Sequence, residues 1–258
     1  MDFGKIVGDS FDYAKEGIVG KWMKWIILII LSLLPAIPII IGVIMGWVSL
    51  IAAPVMIIPT IVITLLLAII LALPLMGYTL RIYRGVVPAP EVDNWGLLFE
   101  EGFKLFIVSL IYAIPLIIIG AVVLGSALLT IFLSMTQTPI NPGAMMGLFG
   151  TVIFGMVIFV VVAIIIGMIV ATAGVRLART NSIGEAFNFS EIFSHIGKIG
   201  VVHYIVALLI MGIIVGLVMI ILRLIPVIGP LLTLIVAPLF TIFQARYLCL
   251  LYDSAGTS

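Results

Sequence analysis

The side chains of this sequence that could do chemistry are few and scattered. His195 and His203 stand eight residues apart, without a neighbouring cysteine and without the short spacing of a metal-ligand pair. Cys249 is the single cysteine, which excludes an intrachain disulfide and reads as a buried thiol behaving like a small hydrophobe. Inside long apolar stretches the polar groups are hydroxyls and one amide: Ser32, Thr60, Thr64, Ser109, Tyr112, Ser126, Thr130, Thr172, Thr233, Thr241 and Gln244. Such groups bond back to their own helix or link neighbouring helices. Ion coupling, proton pumping and hydrolysis within a membrane need ionisable groups at depth, because these bind ions, relay protons or activate water. The apolar stretches carry essentially none, and Arg223 and Arg246 lie near helix ends, where a long side chain reaches the headgroups. No G-x-S-x-G, H-E-x-x-H or phosphate-loop pattern occurs. The expectation is a protein that is not an enzyme, with no catalytic residue, cofactor or metal, and a helix bundle without buried ionisable groups.

Composition says what must hold these residues. Of 258 residues, 64% are hydrophobic and 9% charged, against about 25% charged in ordinary soluble domains, so polar groups cannot cover a water-facing surface. Apolar stretches run roughly Trp25 to Trp47, Leu50 to Tyr78, Leu105 to Ser134, Leu148 to Ala173, Val201 to Leu222 and Val227 to Phe243. Each is long enough to cross a hydrocarbon core of about 30 Å at about 1.5 Å per residue. The expected fold is an all-α, six-helix integral membrane bundle forming one transmembrane domain over residues 1–258. Prolines within the spans, among them Pro35, Pro74, Pro115 and Pro238, are expected to kink helices.

Charge sets the orientation. Eleven of the twelve Lys and Arg residues fall in segments that alternate crossings place on the side of the N-terminus, with Arg223 alone opposite. The positive-inside tendency then puts both termini in the cytoplasm, in a cell membrane. The first two dozen residues mix acids with lysines and lack a small-residue cleavage site, so no signal peptide is expected. The segment from Ser134 to Gly147, with Thr136, Gln137, Thr138 and Asn141, reads as an uncharged outer loop.

Three weakly similar units are visible, at about 1–85, 86–180 and 181–258, each a cytoplasmic segment followed by a helical hairpin. The first two inward helices end in Arg81-x-x-Arg84 and Arg176-x-x-Arg179, and the third keeps Arg246. The outward helices carry small-xxx-small pairs, Gly42 with Gly46, Ala121 with Gly125 and Gly212 with Gly216, which let helix backbones approach closely. The cytoplasmic segments are amphipathic. In the first, Phe3, Val7, Phe11, Ala14 and Ile18 share a face; the second sets Trp95, Leu98, Phe99 and Phe103 against Glu100, Glu101 and Lys104, with Asp93 or Asn94 as cap. The third opens with the capping-box pattern Ser182-x-x-Glu185 and continues through Phe187 and Ile192. These segments lie in the headgroup plane, pack over the end of the bundle, or dock a partner. Trp95, Phe99, Phe103, Phe3, Phe11 and Phe187 are the candidate contacts with lipid or partner. Membrane lipid, a protein partner or a second copy of the chain are the expected partners, and nucleic acid is not. Between the first two units, Gly85 to Pro90 reads as a linker because each proline disfavours helix before it.

The runs Phe11-Asp12-Tyr13-Ala14-Lys15-Glu16-Gly17, Gly77-Tyr78-Thr79-Leu80-Arg81-Ile82-Tyr83-Arg84-Gly85 and Asn94-Trp95-Gly96-Leu97-Leu98-Phe99 resemble a family of uncharacterised archaeal multi-pass membrane proteins. The layout is more loosely similar to the membrane domain that precedes the catalytic domain of some glycerophosphodiester phosphodiesterases, whose activity does not carry over. The first resemblance implies a membrane location and no assigned activity. Two functions fit these residues: a non-enzymatic membrane component that organises lipid or docks a partner, and a transporter or flippase for an apolar or amphiphilic substrate.

Overall fold

The computed structural model describes residues 2–135, 142–226 and 228–256, which form helices and connecting turns with no strand among them. In chain order the helices are α1 (Phe3–Ile18), α2 (Trp22–Leu33), α3 (Ala36–Ala52), α4 (Ile57–Tyr83), α5 (Trp95–Met135), α6 (Pro142–Thr180), α7 (Phe189–Ile199), α8 (Val201–Arg223) and α9 (Ile228–Asp253). Six stretches are long and apolar enough to cross a membrane, as the hydropathy requires. Thr136, Gln137, Thr138 and Asn141 of the expected outer loop lie outside the described residues.

Several boundaries differ from expectation for local reasons. The first crossing is two helices, because Pro35 cannot donate to the helical ladder and α3 restarts at Ala36. That crossing also runs on to Ala52, and the turn comes at Ala53, whose ψ of 75° is the non-helical backbone that a following proline, Pro54, imposes. The second amphipathic segment is not a separate interfacial helix. Nothing between Lys104 and Leu105 breaks the chain, so residues 95–104 are the first turns of α5. The capping-box pattern at Ser182 opens only a single 3-10 turn, Gly184–Phe187. Asn188 caps α7 instead, its side chain accepting from the Glu191 amide at 3.3 Å.

The chain divides into two compact units, Met1–Phe106 with Thr172–Ser258, and Ile107–Ala171. In the larger unit α9 is the hub. Phe243, Tyr247, Cys249 and Leu251 are buried, and α1, α2, α4 and α8 all pack on this helix. Hydrogen bonds fasten the contacts: Tyr247 Oη donates to the Ala207 carbonyl at 2.8 Å, and Trp25 Nε1 donates to the Ile235 carbonyl at 2.8 Å. Such bonds matter in a bilayer, where lipid tails are as apolar as the side chains and burial of apolar surface drives helices together only weakly. The smaller unit comprises parts of α5 and α6, with Gly155 set against Val123 beside an open apolar groove of about 320 Å³. Intrahelical hydroxyl bonds are made by Ser126 and Thr130 there, and by Ser32, Thr233 and Thr241 in the larger unit.

A backbone-to-backbone helix approach in the larger unit lies between α4 and α5. The Cα of Gly77 faces the Leu98 carbonyl, and one turn away Gly102 faces the Leu73 carbonyl. A Cβ at either glycine would overlap the opposing backbone oxygen, so only hydrogen fits, in the geometry of weak Cα–H···O contacts. Gly77→Ala or Gly102→Ala is expected to cost about 1–3 kcal/mol, because the obstacle is backbone and cannot rotate aside. Thermal unfolding in detergent tests this, with Gly212→Ala as the reference, since a Cβ there meets open space. Equal midpoints for all three variants would refute the crossing.

Candidate functional site

The α4–α5 crossing brings charge together. Arg81 lies one turn beyond Gly77, and Glu101 immediately precedes Gly102, so closing the backbones places the two side chains in contact. Arg81 Nε donates to Glu101 Oε2 at 3.1 Å and Arg81 Nη1 donates to Asp93 Oδ1 at 2.8 Å. Arg84 pairs with the other Glu101 oxygen. Arg81 is 8% exposed and Glu101 1%. This corrects the expectation of a bundle without buried ionisable groups: Arg81, Glu101 and Lys24 are buried, at the charged ends of their spans and not midway along them. Asp93 is spent on Arg81, and the chain enters α5 through the Asn94 carbonyl, which accepts from the Leu98 amide at 3.1 Å.

The linker after α4 is not free-running. Its carbonyls are caught by side chains from three helices. Tyr13 Oη donates to the Val86 carbonyl at 2.8 Å, Lys24 Nζ to Ala89 at 3.1 Å and Arg246 Nη1 to Gly85 at 3.5 Å. Gly17 packs against the Ala89 methyl, and Glu91 pairs with Lys21 and Lys24 at 3.2 and 3.5 Å. Gly85 has φ +80° with the Arg179 guanidinium where a Cβ would stand, so two constraints demand glycine. Burial pushes the Tyr13 phenol up to about 12, against the lowering effect of Arg246, and it remains a neutral donor.

A second group closes the C-terminal side of α6. Arg176 pairs with Glu185, which is why that residue cannot serve a helix cap. Arg179 reaches both Asp253 oxygens at 2.9 Å and the Tyr83 carbonyl at 3.1 Å. On α7, His195 stacks on Tyr252 with ring centroids 3.7 Å apart, and its Nε2 is 2.8 Å from the Tyr252 carbonyl. Burial holds the His195 imidazole below its ordinary range; Lys198 and Arg176 act in the same direction, and the bond to Tyr252 opposes them. Among the described residues no three of His, Cys, Asp and Glu gather closely enough to hold a metal ion. The chemistry these groups support is charge pairing that ties loops to helices.

The aromatic candidates lie beside this framework. Trp95, Phe99 and Phe103 are 46%, 37% and 53% exposed, in a row flanking the buried stripe of Leu98, Glu101, Gly102 and Leu105. On α1 the buried face is Ile6, Ser10, Tyr13, Ala14, Gly17 and Ile18, rotated from the expected one because Tyr13 and Gly17 meet the linker and α9. Phe11 is exposed on its flank, and Phe3 stacks on His203 at 6.3 Å. Phe187 is half-buried in the 3-10 turn before α7, whose exposed pair is Phe189 and Phe193. Of the small-residue pairs, Gly42 lies against Thr64, whereas a Cβ on Gly46, Gly125, Gly212 or Gly216 would meet nothing within 4 Å. Ala121 is exposed on α5. Sequence reasoning passed over Gly77, Gly102 and the burial of Glu101. The signal was present: Leu98, Glu101 and Leu105 follow the i, i+3, i+7 spacing of a buried face.

Residues 60–227 match the family described as protein of unknown function DUF4013, and the chain belongs to that family. No curated protein and no solved structure is significantly similar to it.

Replacing Glu101 by Gln leaves Arg81 and Arg84 without their shared carboxylate. It is expected to destabilise by about 1–3 kcal/mol, because Arg84 is left without a carboxylate while Arg81 keeps Asp93, whereas Glu100→Gln on the exposed face leaves the unfolding midpoint nearly unchanged. Denaturation of both variants in detergent compares them directly. His195 binds a proton less readily in the folded chain than in the unfolded one, so stability is fully present at neutral pH and is lost as pH falls below about 6.5. Unfolding midpoints between pH 8 and 5 are expected to decline at the acidic end, and His195→Phe to flatten that decline.

Proposed function

We propose that this member of the family is a non-enzymatic membrane component that organises lipid at the headgroup boundary, or docks a partner there, through its aromatic-flanked segments. The observation that supports it is the exposed row Trp95, Phe99 and Phe103 beside a stripe buried by an ion pair. Buried Glu101 and Gly102 fix the rotation of α5, so the row faces outward because its other side is locked. Aromatic side chains favour the membrane–water interface, where a ring meets hydrocarbon and a polar edge meets water. Phe11 on α1 and Phe189 with Phe193 on α7 repeat the pattern of an exposed aromatic flank beside a buried aliphatic one. The same reading places the charged segments and both termini in the cytoplasm of a cell membrane, following the excess of Lys and Arg. Lipid is favoured over a protein partner because the flanks belong to three separate segments, as a belt around an embedded protein does.

A second reading, transport or scrambling of an amphiphile, draws on the α3–α4 hairpin. Open apolar grooves of about 510 and 370 Å³ flank it, Thr64 lining both and Thr60 the smaller. A path of this kind would have Thr60, Thr64, Tyr112 and Gln244 as its polar lining; Tyr112 belongs to the smaller unit and Gln244 to α9.

A variant keeping Trp95 as sole tryptophan, with Trp22, Trp25 and Trp47 replaced by Phe, separates these readings in liposomes containing lipids brominated at different depths. Quenching strongest for shallow bromines is the expected result. Trp95 fully open to an aqueous quencher would remove the lipid reading, and rapid movement of labelled lipid between leaflets, abolished by Thr64→Leu, would favour the second.

A further inference from the structure

The arginines of the charged end follow one rule with one exception. Arg81, Arg84, Arg176 and Arg179 each have a carboxylate within salt-bridge distance. Among the described residues Arg246 has none. Its guanidinium lies 4.7 Å from the centroid of the Tyr13 ring, its Nη1 reaches only the Gly85 carbonyl at 3.5 Å, and its Nε is enclosed without an acceptor. The side chain is half-buried, so bulk water screens it incompletely. The surroundings add positive charge. The Arg179 guanidinium packs on the same glycine, and Arg84 precedes it in the chain. Beside it, Arg179 pairs with Asp253 and Arg84 with Glu101, so the carboxylates nearest this turn are already engaged by other guanidiniums. A desolvated cation of this kind is stable when a counter-charge reaches it. Tyr13 supplies a ring face and Gly85 a dipole, and neither carries a full charge.

We propose that Arg246 is an anion site that takes a phosphate group, with the Tyr13 ring as its floor and the Gly85 turn as its edge. A planar guanidinium matches two phosphate oxygens at once, which an ammonium does not. The position suits the chemistry. Tyr13 belongs to α1, whose exposed Phe11 marks the same helix as interfacial, so the phosphate of an anionic lipid lies within reach; a free phosphate in the aqueous phase offers the same group. The anion site rests on the unbalanced guanidinium; only the choice of a lipid headgroup as its source draws on the interfacial placement of α1.

The test uses the full chain in a neutral detergent with three probes: short-chain phosphatidic acid, inorganic phosphate and short-chain phosphatidylcholine. Binding is read by calorimetry and by the shift in unfolding midpoint, at low and moderate salt. Phosphatidic acid is expected to bind and to raise the midpoint, with an affinity that falls as salt rises. Arg246→Gln is expected to weaken that binding at least tenfold, while Arg223→Gln, which removes the exposed arginine at the C-terminal end of α8, leaves it unchanged. If Arg246→Gln does not fold, Arg246→Lys carries the test, keeping the charge without the fork and losing severalfold in affinity. Binding of inorganic phosphate as tight as that of phosphatidic acid assigns the site to a free anion, and binding of the lipid alone assigns it to a headgroup. Equal binding by wild type and the Arg246 variants, equal loss in Arg223→Gln, or no binding of either phosphate probe overturns the proposal.

Discussion

Two glycines facing two carbonyls hold α4 and the first turns of α5 at backbone distance, and the organisation of the charged end depends on that contact. With Gly77 against Leu98 and Gly102 against Leu73, the helices approach too closely for any side chain to intervene. Arg81 and Glu101 are then neighbours by construction. A carboxylate excluded from solvent is costly unless its charge is met, and here two guanidiniums meet it, with Asp93 engaging the other edge of Arg81. In a bilayer this logic carries more weight than in water, because apolar burial contributes little to association between helices and polar contacts and close backbones must supply specificity.

From this anchor the rest of the end is assembled by capture of backbone groups. The linker that leaves α4 has no ladder of its own to satisfy its carbonyls, and Tyr13, Lys24 and Arg246 donate to them from α1, α2 and α9. Each tie crosses a large sequence separation, so the N-terminal helix, the linker and the last helix stabilise one another. α9 is suited to the central place. It presents Phe243, Tyr247 and Cys249 to its neighbours, whereas the other spans keep most of their apolar surface outward. The aromatic flanks are what this locking leaves outside, which is why their placement follows from the buried ion pairs and not from the aromatic residues themselves.

The multi-pass helical class, the number of crossings and the existence of α1 were all legible in the sequence, since each follows from apolar length or a 3.6-residue period. A disturbance at Pro35, expected as a kink and found as a break, and the linker after α4 were legible for a covalent reason, proline's missing N–H and its steric demand on the residue before it. Errors concentrate where two sequence signals compete. Ser182-x-x-Glu185 carries the chemistry of a cap, yet Glu185 lies near Arg176 in space and the ion pair takes it. Glu101 sits among charged neighbours and reads as surface, although its spacing from Leu98 and Leu105 marks the buried face. The small-residue pairs are identical in kind whether or not another helix lies opposite, and of the glycines in those pairs only Gly42 has atoms, the side chain of Thr64, where a Cβ would stand.

The sequence by itself determined that this chain is an all-helical multi-pass membrane protein of the DUF4013 family with its charge gathered in a few segments, because hydropathy and charge are additive properties of residues read in order. Tertiary structure decided which charges are buried, which glycines lie at a crossing, which side of α1 faces protein, and that among the described residues Arg246, unlike its neighbouring arginines, has no carboxylate within salt-bridge distance. Those are properties of pairs far apart in the chain, fixed by which helix lies beside which; the spacing of Leu98, Glu101 and Leu105 marks a buried face but not the helix that covers it.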